Sequence, residues 1–301
     1  MSSIVKKSCE FFFRLPRVDS PLVNRLNKVA PSSVMKTLKV FRNKLLPITE
    51  KIRIRRDITA FLGPEYPPSH DKIEIDITYD CNLRCRLCNR FLDFAPSKEE
   101  MSPEQIKKFI NESIKLGRKW EAIFLSGGEP ALHPRISEII GLLTEYKNNF
   151  SPATKLYLLT NGFHNSALVR LPPIVAIIDS EKDTCLPAHV PVTRAPIDLA
   201  TYKNADFSNG CSIAFRCAMG LNMHGYYQCT VAAAIDRIFG FDAGRKNLPE
   251  REDDMIDLYR KFCRYCGHFL RAPISPIETL SFTWQRAIDN YTRVKPSLSV
   301  Y

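Results

Sequence analysis

Asp80-Cys81-Asn82-Leu83-Arg84-Cys85-Arg86-Leu87-Cys88-Asn89-Arg90 is the stretch on which the reading of this chain turns. Its cysteines are spaced C-x3-C-x2-C. Just before them, Ile73, Ile75 and Ile77 alternate with Glu74, Asp76 and Thr78. Alternation of period two is a strand signal, so the cysteines occupy the loop leaving a strand's C-terminal end. In barrels of parallel strands that rim collects the catalytic groups. Three thiolates on one short loop can hold three irons of a cubane cluster and leave the fourth iron open. A vacancy marks a reactive metal centre, since a purely structural site is normally closed.

About forty residues further on, 121–126 reads as a second strand and runs into Gly127-Gly128-Glu129-Pro130. Paired glycines let the backbone approach a ligand closely, and the Glu129 carboxylate can meet an amino group. Together the two motifs resemble the radical S-adenosylmethionine (radical SAM) superfamily. There a CxxxCxxC loop follows the first barrel strand and a GGEP motif follows the second. The resemblance implies that Cys81, Cys85 and Cys88 ligate a [4Fe–4S] cluster. It implies too that Gly127, Gly128 and Glu129 bind the methionyl end of SAM, whose amino and carboxylate groups fill the open iron site. Leu87 stands where the family usually has an aromatic residue, which weakens the expected adenine contact. Each motif alone has a plainer reading, a zinc knuckle for the cysteines and an ordinary turn for the glycines. Their conjunction makes the assignment specific.

The chain has 301 residues and a hydrophobic fraction of 45%, enough for one cored domain and a smaller appendage. No apolar run reaches the eighteen or so residues of a spanning helix; the longest, 171–178, is strand-length. The N-terminus lacks a signal peptide's apolar region and cleavage site, so a cytoplasmic protein is expected. Clustered cysteines without a signal favour metal ligation over disulfides. Of the net charge of +11, residues 1–70 carry +9, from 14 Lys/Arg against 5 Asp/Glu. The basic character thus belongs to an N-terminal extension.

Within that extension, 33–46 reads as an amphipathic basic helix, with Val34, Leu38, Phe41 and Leu45 on one face. It either packs its stripe on the barrel, the favoured reading, or makes a peripheral membrane contact or binds an acidic partner. Residues 51–56 alternate and read as an edge strand or a basic patch. Few aromatic residues interleave the charges, which argues against nucleic acid. Further on, Ser102-Pro103-Glu104-Gln105 signals a helix start with a capping box. A second helix is expected over 134–146, with His133 at its start as a positioning or capping residue. Strands are expected over Lys155–Thr160, 174–178 and 190–194. By resemblance, Asn161, Asp179 and Ser180 at the ends of the third and fourth strands approach the SAM ribose. Too few residues separate the first strand from Arg194 for a complete barrel of about 250 residues.

The C-terminal part carries Cys211, Cys217, Cys229, Cys263 and Cys266. His224-Gly225 signals a hairpin turn, and a helix over 253–262 leads into Cys263-Arg264-Tyr265-Cys266. This pattern looks like the auxiliary-cluster extension, of SPASM or Twitch type, found in many radical SAM enzymes. It implies a second [4Fe–4S] cluster on Cys229, Cys263, Cys266 and either Cys211 or Cys217. A zinc site on four of these cysteines is the alternative. Cys9 and Cys185 read as ordinary thiols.

The expected fold is α/β, a partial (β/α) barrel of radical SAM type. A basic helical N-terminal extension (1–70) precedes the barrel (71–205), and a small cysteine-rich α+β domain (206–301) follows it. The resemblance implies reductive cleavage of SAM to a 5′-deoxyadenosyl radical that takes a hydrogen atom from substrate. Oxidation or rearrangement of a sugar-like small molecule is the first expectation, and peptide modification the second. An electron donor such as flavodoxin or ferredoxin is implied. A basic zinc-binding interaction protein without SAM chemistry is the reading from another class. An oxidation wants a base near the radical carbon, and Glu181, His189, Arg194 and Asp198 are unranked candidates.

Overall fold

A computed structural model of the chain describes residues 51–85, 88–163, 171–180, 192–212, 218–270 and 280–301. The helix expected over 33–46, and Cys9, Leu87, Glu181, Cys185, His189 and Cys217, lie outside these residues. Among the described residues no helix is long and apolar enough to cross a membrane.

Six strands make one open sheet: β1 (Lys72–Thr78), β2 (Ala122–Gly127), β3 (Lys155–Thr160), β4 (Val175–Asp179), β5 (Met219–Asn222) and β6 (Gly225–Tyr227). Their spatial order is β4-β3-β2-β1-β5-β6. Neighbours from β4 through β5 pair in parallel, and only β6 runs antiparallel. The architecture is therefore a partial β/α barrel. On β1 the side chains of Ile73, Ile75 and Ile77 are fully buried among apolar groups. Glu74, Asp76 and Thr78 are buried as well. A parallel strand covered on both faces has no solvent side, so its polar residues turn into the barrel.

The crossover helices follow from local chemistry. α1 (Arg56–Leu62) precedes the sheet. α2 (Pro103–Lys115) starts at Ser102, whose Oγ accepts from Gln105 N–H while Gln105 Oε1 accepts from Ser102 N–H. That box satisfies two backbone donors left over at the helix start. Ile106 and Phe109 then face the sheet fully buried, each contributing about 1.5–3 kcal/mol by removal from water. α3 (Ile136–Asn149) buries Ile139, Ile140 and Leu143 at helical spacing. In the C-terminal part, α4 (Thr230–Phe239) is buried along almost its whole length. α5 (Ile256–Phe262) and α6 (Phe282–Arg293) pack beside it.

Two sequence expectations are corrected. Residues 51–53 are helical and lead into α1, and only Arg55 makes an isolated bridge, to Ala205. The basic residues there do not share a face: Arg53 is buried, donating to Asn209 Oδ1 (2.9 Å) and Gly63 O (2.7 Å). Of the strand expected over 190–194, residues 190–191 lie outside the described residues, and 192–194 are not a barrel strand, Val192 and Thr193 forming a turn. Val192 is buried and its carbonyl accepts from Gly267 N–H (2.9 Å), so this segment packs on the cysteine knuckle. The fifth parallel strand comes from beyond residue 206, where β5 adds to the free edge of β1. The hairpin loop is Met223-His224, one residue earlier than its turn signal, with Asn222 opposite Gly225.

Candidate functional site

The rim at the C-terminal ends of β1 to β4 gathers the first site. Cys81, Cys85 and Cys88 lie half-buried on the loop after β1. The loop is shaped by its own bonds: Cys81 N–H donates to Asp80 Oδ1 (3.1 Å), Cys88 N–H to Cys85 O (3.1 Å), and Phe91 N–H to Cys88 O (2.9 Å). Burial pushes the Cys81 thiol up, and the nearby Cys88, Glu129 and Cys85 push it the same way. The three cysteines and Glu129 thus share one locality.

Gly127 and Gly128 have a reason visible in the backbone. Gly128 N–H donates to Thr78 O (2.7 Å) and Glu129 N–H to Asp80 O (2.8 Å). A Cβ on Gly127 would lie 2.1 Å from Thr78 O, and one on Gly128 would lie 2.2 Å from Asp80 O. The glycine pair therefore lets the exit of β2 lie against the exit of β1. Glu129 is fully buried. Its Oε1 accepts from Ala131 N–H (3.0 Å) and Thr160 Oγ1–H (2.8 Å), and its Oε2 accepts from Asn161 N–H (2.8 Å). This carboxylate ties the exits of β2 and β3 together.

Asn161 continues the chain of contacts, its Nδ2 donating to Asn82 Oδ1 (2.8 Å) and lying 4.0 Å from Cys81 Sγ. A Cβ at Gly162 would meet Asp179 Oδ2 at 2.6 Å, and Ser180 N–H donates to Thr160 O (2.9 Å). Asn161, Asp179 and Ser180 thus sit on the same rim as the cysteine loop. His133 is buried, with Nδ1 accepting from Arg135 N–H (3.1 Å) and Nε2 3.0 Å from Met101 O. That pair of contacts assigns the neutral tautomer with the proton on Nε2, and burial pushes its pKa down. Arg194 is exposed. Asp198 accepts from Thr283 N–H (2.9 Å) and Oγ1–H (2.6 Å) at the start of α6, so its carboxylate is occupied there.

A buried charged network under this loop was missed from sequence. Arg90 donates to both oxygens of Asp76 (2.8–3.2 Å), to Glu74 and to Ser126 Oγ (3.3 Å). Arg237 of α4 donates to Arg90 O (3.0 Å) and stacks over Tyr79, 4.7 Å from the ring centre. Tyr79 in turn accepts from Asn222 Nδ2 (2.9 Å). The C-terminal helix and hairpin therefore hold the last turn of the cysteine loop. The available signal was Arg90 inside the opening stretch and two carboxylates on a strand whose both faces are covered.

The second site lies beyond β6. Cys211, Cys229, Cys263 and Cys266 are all buried and line one cavity, otherwise mostly apolar, with Gln228 and His268 among its walls. Cys229 caps the start of α4 and Cys263 the end of α5. Burial, and then the neighbouring cysteines, push the Cys263 and Cys266 thiols well up. Four thiolates in such a cavity are tolerable only with a bound cation to offset their charge. Among the described residues no group of three or more His, Cys, Asp or Glu is set to hold a single metal ion. No disulfide joins the described cysteines.

Residues 75–183 match the model of the Radical SAM superfamily, and this part of the chain is a radical SAM domain. Such a domain uses a [4Fe–4S] cluster and SAM. The residues present fit both groups: three cysteines on one half-exposed loop, with a glycine-lined rim beside them. The chain is similar to GTP 3′,8-cyclase of Aquifex aeolicus, 32% identical over 93 residues, 30% of this chain and 27% of that protein. It is similar to GTP 3′,8-cyclase of Listeria monocytogenes, 34% identical over 94 residues, 30% of this chain and 28% of that one. The match spans little more than a quarter of the length of these curated relatives. Among solved structures, BtrN in complex with AdoMet and 2-DOIA aligns over 66% of this chain and 88% of that one. Its TM-score is 0.40 and its identity 17%.

Proposed function

We propose that this chain is a radical SAM oxidoreductase acting on a sugar-like small molecule, with a second [4Fe–4S] cluster on Cys211, Cys229, Cys263 and Cys266. The observation that carries this reading is the single buried cavity lined by all four of those cysteines. A complete cysteine set leaves no iron open to substrate, which suits electron transfer. When bound, the two clusters and SAM would supply a 5′-deoxyadenosyl radical, which removes a hydrogen atom from substrate, and an acceptor for the electron left behind. The chain's residues do the holding and orienting. Cys81, Cys85 and Cys88 are the ligands of the first cluster. Asn161, Asp179 and Ser180 face SAM from the rim, and Gly127, Gly128 and Glu129 fix the exits of β1, β2 and β3 around it. A proton must also leave the substrate, and a flavodoxin or ferredoxin would supply the reducing electron. Both sites are anchored on β1, one by its exit loop and the other through its neighbour β5.

Iron counting tests this. Two cubanes give about eight irons per chain after anaerobic reconstitution, and replacing Cys229, Cys263 and Cys266 with Ala should leave about four. A parent chain with about four irons and one zinc would replace the second cluster with a structural zinc site. Glu129 gives a separate expectation. Glu129→Ala strands the Ala131 and Asn161 amides and the Thr160 hydroxyl, so stability should fall by about 2–3 kcal/mol. Affinity for SAM should fall with it, because the exits of β2 and β3 lose their common tie. Calorimetric titration with SAM at the parent's affinity would show that Glu129 has no part in the site.

A further inference from the structure

Helix α4 touches both sites. Cys229 caps its start, and Val231, Ala232 and Ile235 line the four-cysteine cavity. Arg237 stands eight residues after Cys229, roughly 12 Å further along the helix axis, and it reaches the first site. Its side chain is buried. Nη2 donates to Arg90 O (3.0 Å), two residues beyond Cys88, and Nη1 donates to the Tyr291 hydroxyl (3.0 Å) in α6. The guanidinium lies over the buried Tyr79 ring, 4.7 Å from its centre. Neither hydrogen bond goes to a carboxylate, and Nε is buried without a partner among the described residues. A buried cation held in this way is costly, so packing does not account for it. The next residue of the loop adds a second observation. Phe91 has a φ of 60°, a left-handed backbone that non-glycine residues rarely adopt, and its ring centre lies 4.4 Å from that of Trp284 in α6. Such a conformation persists only where the surroundings over-determine it.

We infer that Arg237 is a positioning residue through which loading of the four-cysteine site fixes the exit of the first cysteine loop. The inference rests on the second-cluster reading given above. A group bound by Cys211, Cys229, Cys263 and Cys266 ties the start of α4 to the end of α5 with metal–sulfur bonds, and so adds its binding energy to the order of these elements. Because α4 is buried along almost its whole length, it takes up that constraint as one rigid element and carries it to Arg237. There the hold on Arg90 O, with the Phe91–Trp284 contact beside it, sets the course of the chain just after Cys88. The consequence is an order of events. The loop that holds the first cluster takes its final form only in a chain whose second site is filled, so radical formation is tied to the presence of an acceptor for the substrate's electron.

The test uses the full-length chain with Cys81, Cys85 and Cys88 replaced by Ala, so that only the C-terminal site can load. Metal-free protein and protein reconstituted anaerobically with iron and sulfide are compared by hydrogen exchange and mass spectrometry, after iron is counted. Loading should slow amide exchange in the peptide over 89–96 by about tenfold, a usual size for coupling between two sites, and should change the peptide over α3 much less. Arg237→Met should remove the difference at 89–96 while keeping about four irons. Tyr291→Phe takes away only the hydroxyl that holds Nη1, and should shrink the difference. Equal exchange at 89–96 with and without iron overturns the inference, as does slowing of the same size in α3, which is global stabilisation alone. A difference undiminished in whichever variant retains iron removes Arg237 from the route and overturns it too. Loss of iron in both variants also overturns it, by making the Arg237 contacts a requirement for assembly. A chain that takes up no iron before Arg237 is altered would refute the second-cluster reading along with this one.

Discussion

Replacing Cys81, Cys85 and Cys88 together with Ala is expected to abolish cleavage of SAM and remove about four irons per chain, with the fold left in place. The three side chains are half-exposed, so they contribute little to the core. The loop's course is fixed by its neighbours: Gly128 and Glu129 donate to Thr78 O and Asp80 O, and Arg90 anchors its end. Surface-type substitutions cost about 0.5 kcal/mol or less each, so the melting temperature should move by only a few degrees. Iron is read by chelation after acid release, and SAM cleavage by chromatography of 5′-deoxyadenosine. A triple variant that kept all its iron, or released 5′-deoxyadenosine at the parent rate, would remove these cysteines from the chemistry.

Arg90→Met should destabilise the chain by about 3–5 kcal/mol, because it leaves two carboxylates buried without their cation. Asp76 is fully buried and Glu74 nearly so, and Met fills the space without replacing any of the hydrogen bonds. For a chain of this size the loss corresponds to a drop of roughly 10 °C in Tm, measurable by calorimetry at equal iron load. Adding Glu74→Gln and Asp76→Asn to Arg90→Met should recover much of the loss, since removing every charge removes the desolvation cost as well. A single variant that melts with the parent would show that the network is not under electrostatic load. The same network gives a pH dependence. Burial, outweighing the attraction of Arg90, pushes Asp76 up to about 6 from 3.8. A raised carboxyl pKa means this group's contribution is complete below about 3.8 and fades as pH rises through about 6. Asp76→Asn should flatten the stability curve across that window.

The parts of the fold that were legible in the sequence are those written locally. The cysteine loop, the alternation in β1 and the capping box from Ser102 to Gln105 each lie within a few residues, and each appears in place. The hairpin around Met223-His224 was legible for the same reason. The position of β5 was not: Ile73 pairs with Met219 across nearly half of the chain, and no local pattern encodes a partner that distant. Residues 51–56 misled because their alternation has period two while the backbone is helical over 51–53, with Arg53 folded inward. The inward turn of Glu74 and Asp76 depends on both faces of β1 being covered, which only tertiary packing decides. Spacing alone leaves Cys211 and Cys217 level, and of the two Cys211 lines the cavity while Cys217 lies outside the described residues.

The glycine pair shows a further limit. Its sequence context suggests approach to a ligand, and the structure adds a close approach to Thr78 and Asp80. Both follow from the missing Cβ, and the sequence does not say which neighbour requires it. Glu129 likewise has partners that its sequence context does not reveal, its two oxygens accepting from Ala131, Thr160 and Asn161.

The most direct measurement is the release of 5′-deoxyadenosine from SAM by the anaerobically reconstituted, chemically reduced chain, with the Cys81/Cys85/Cys88→Ala chain treated in parallel. The account predicts 5′-deoxyadenosine and methionine in equal amounts from the parent and none above background from the variant. A parent chain that carries its full iron, is visibly reduced and still leaves SAM intact would contradict it.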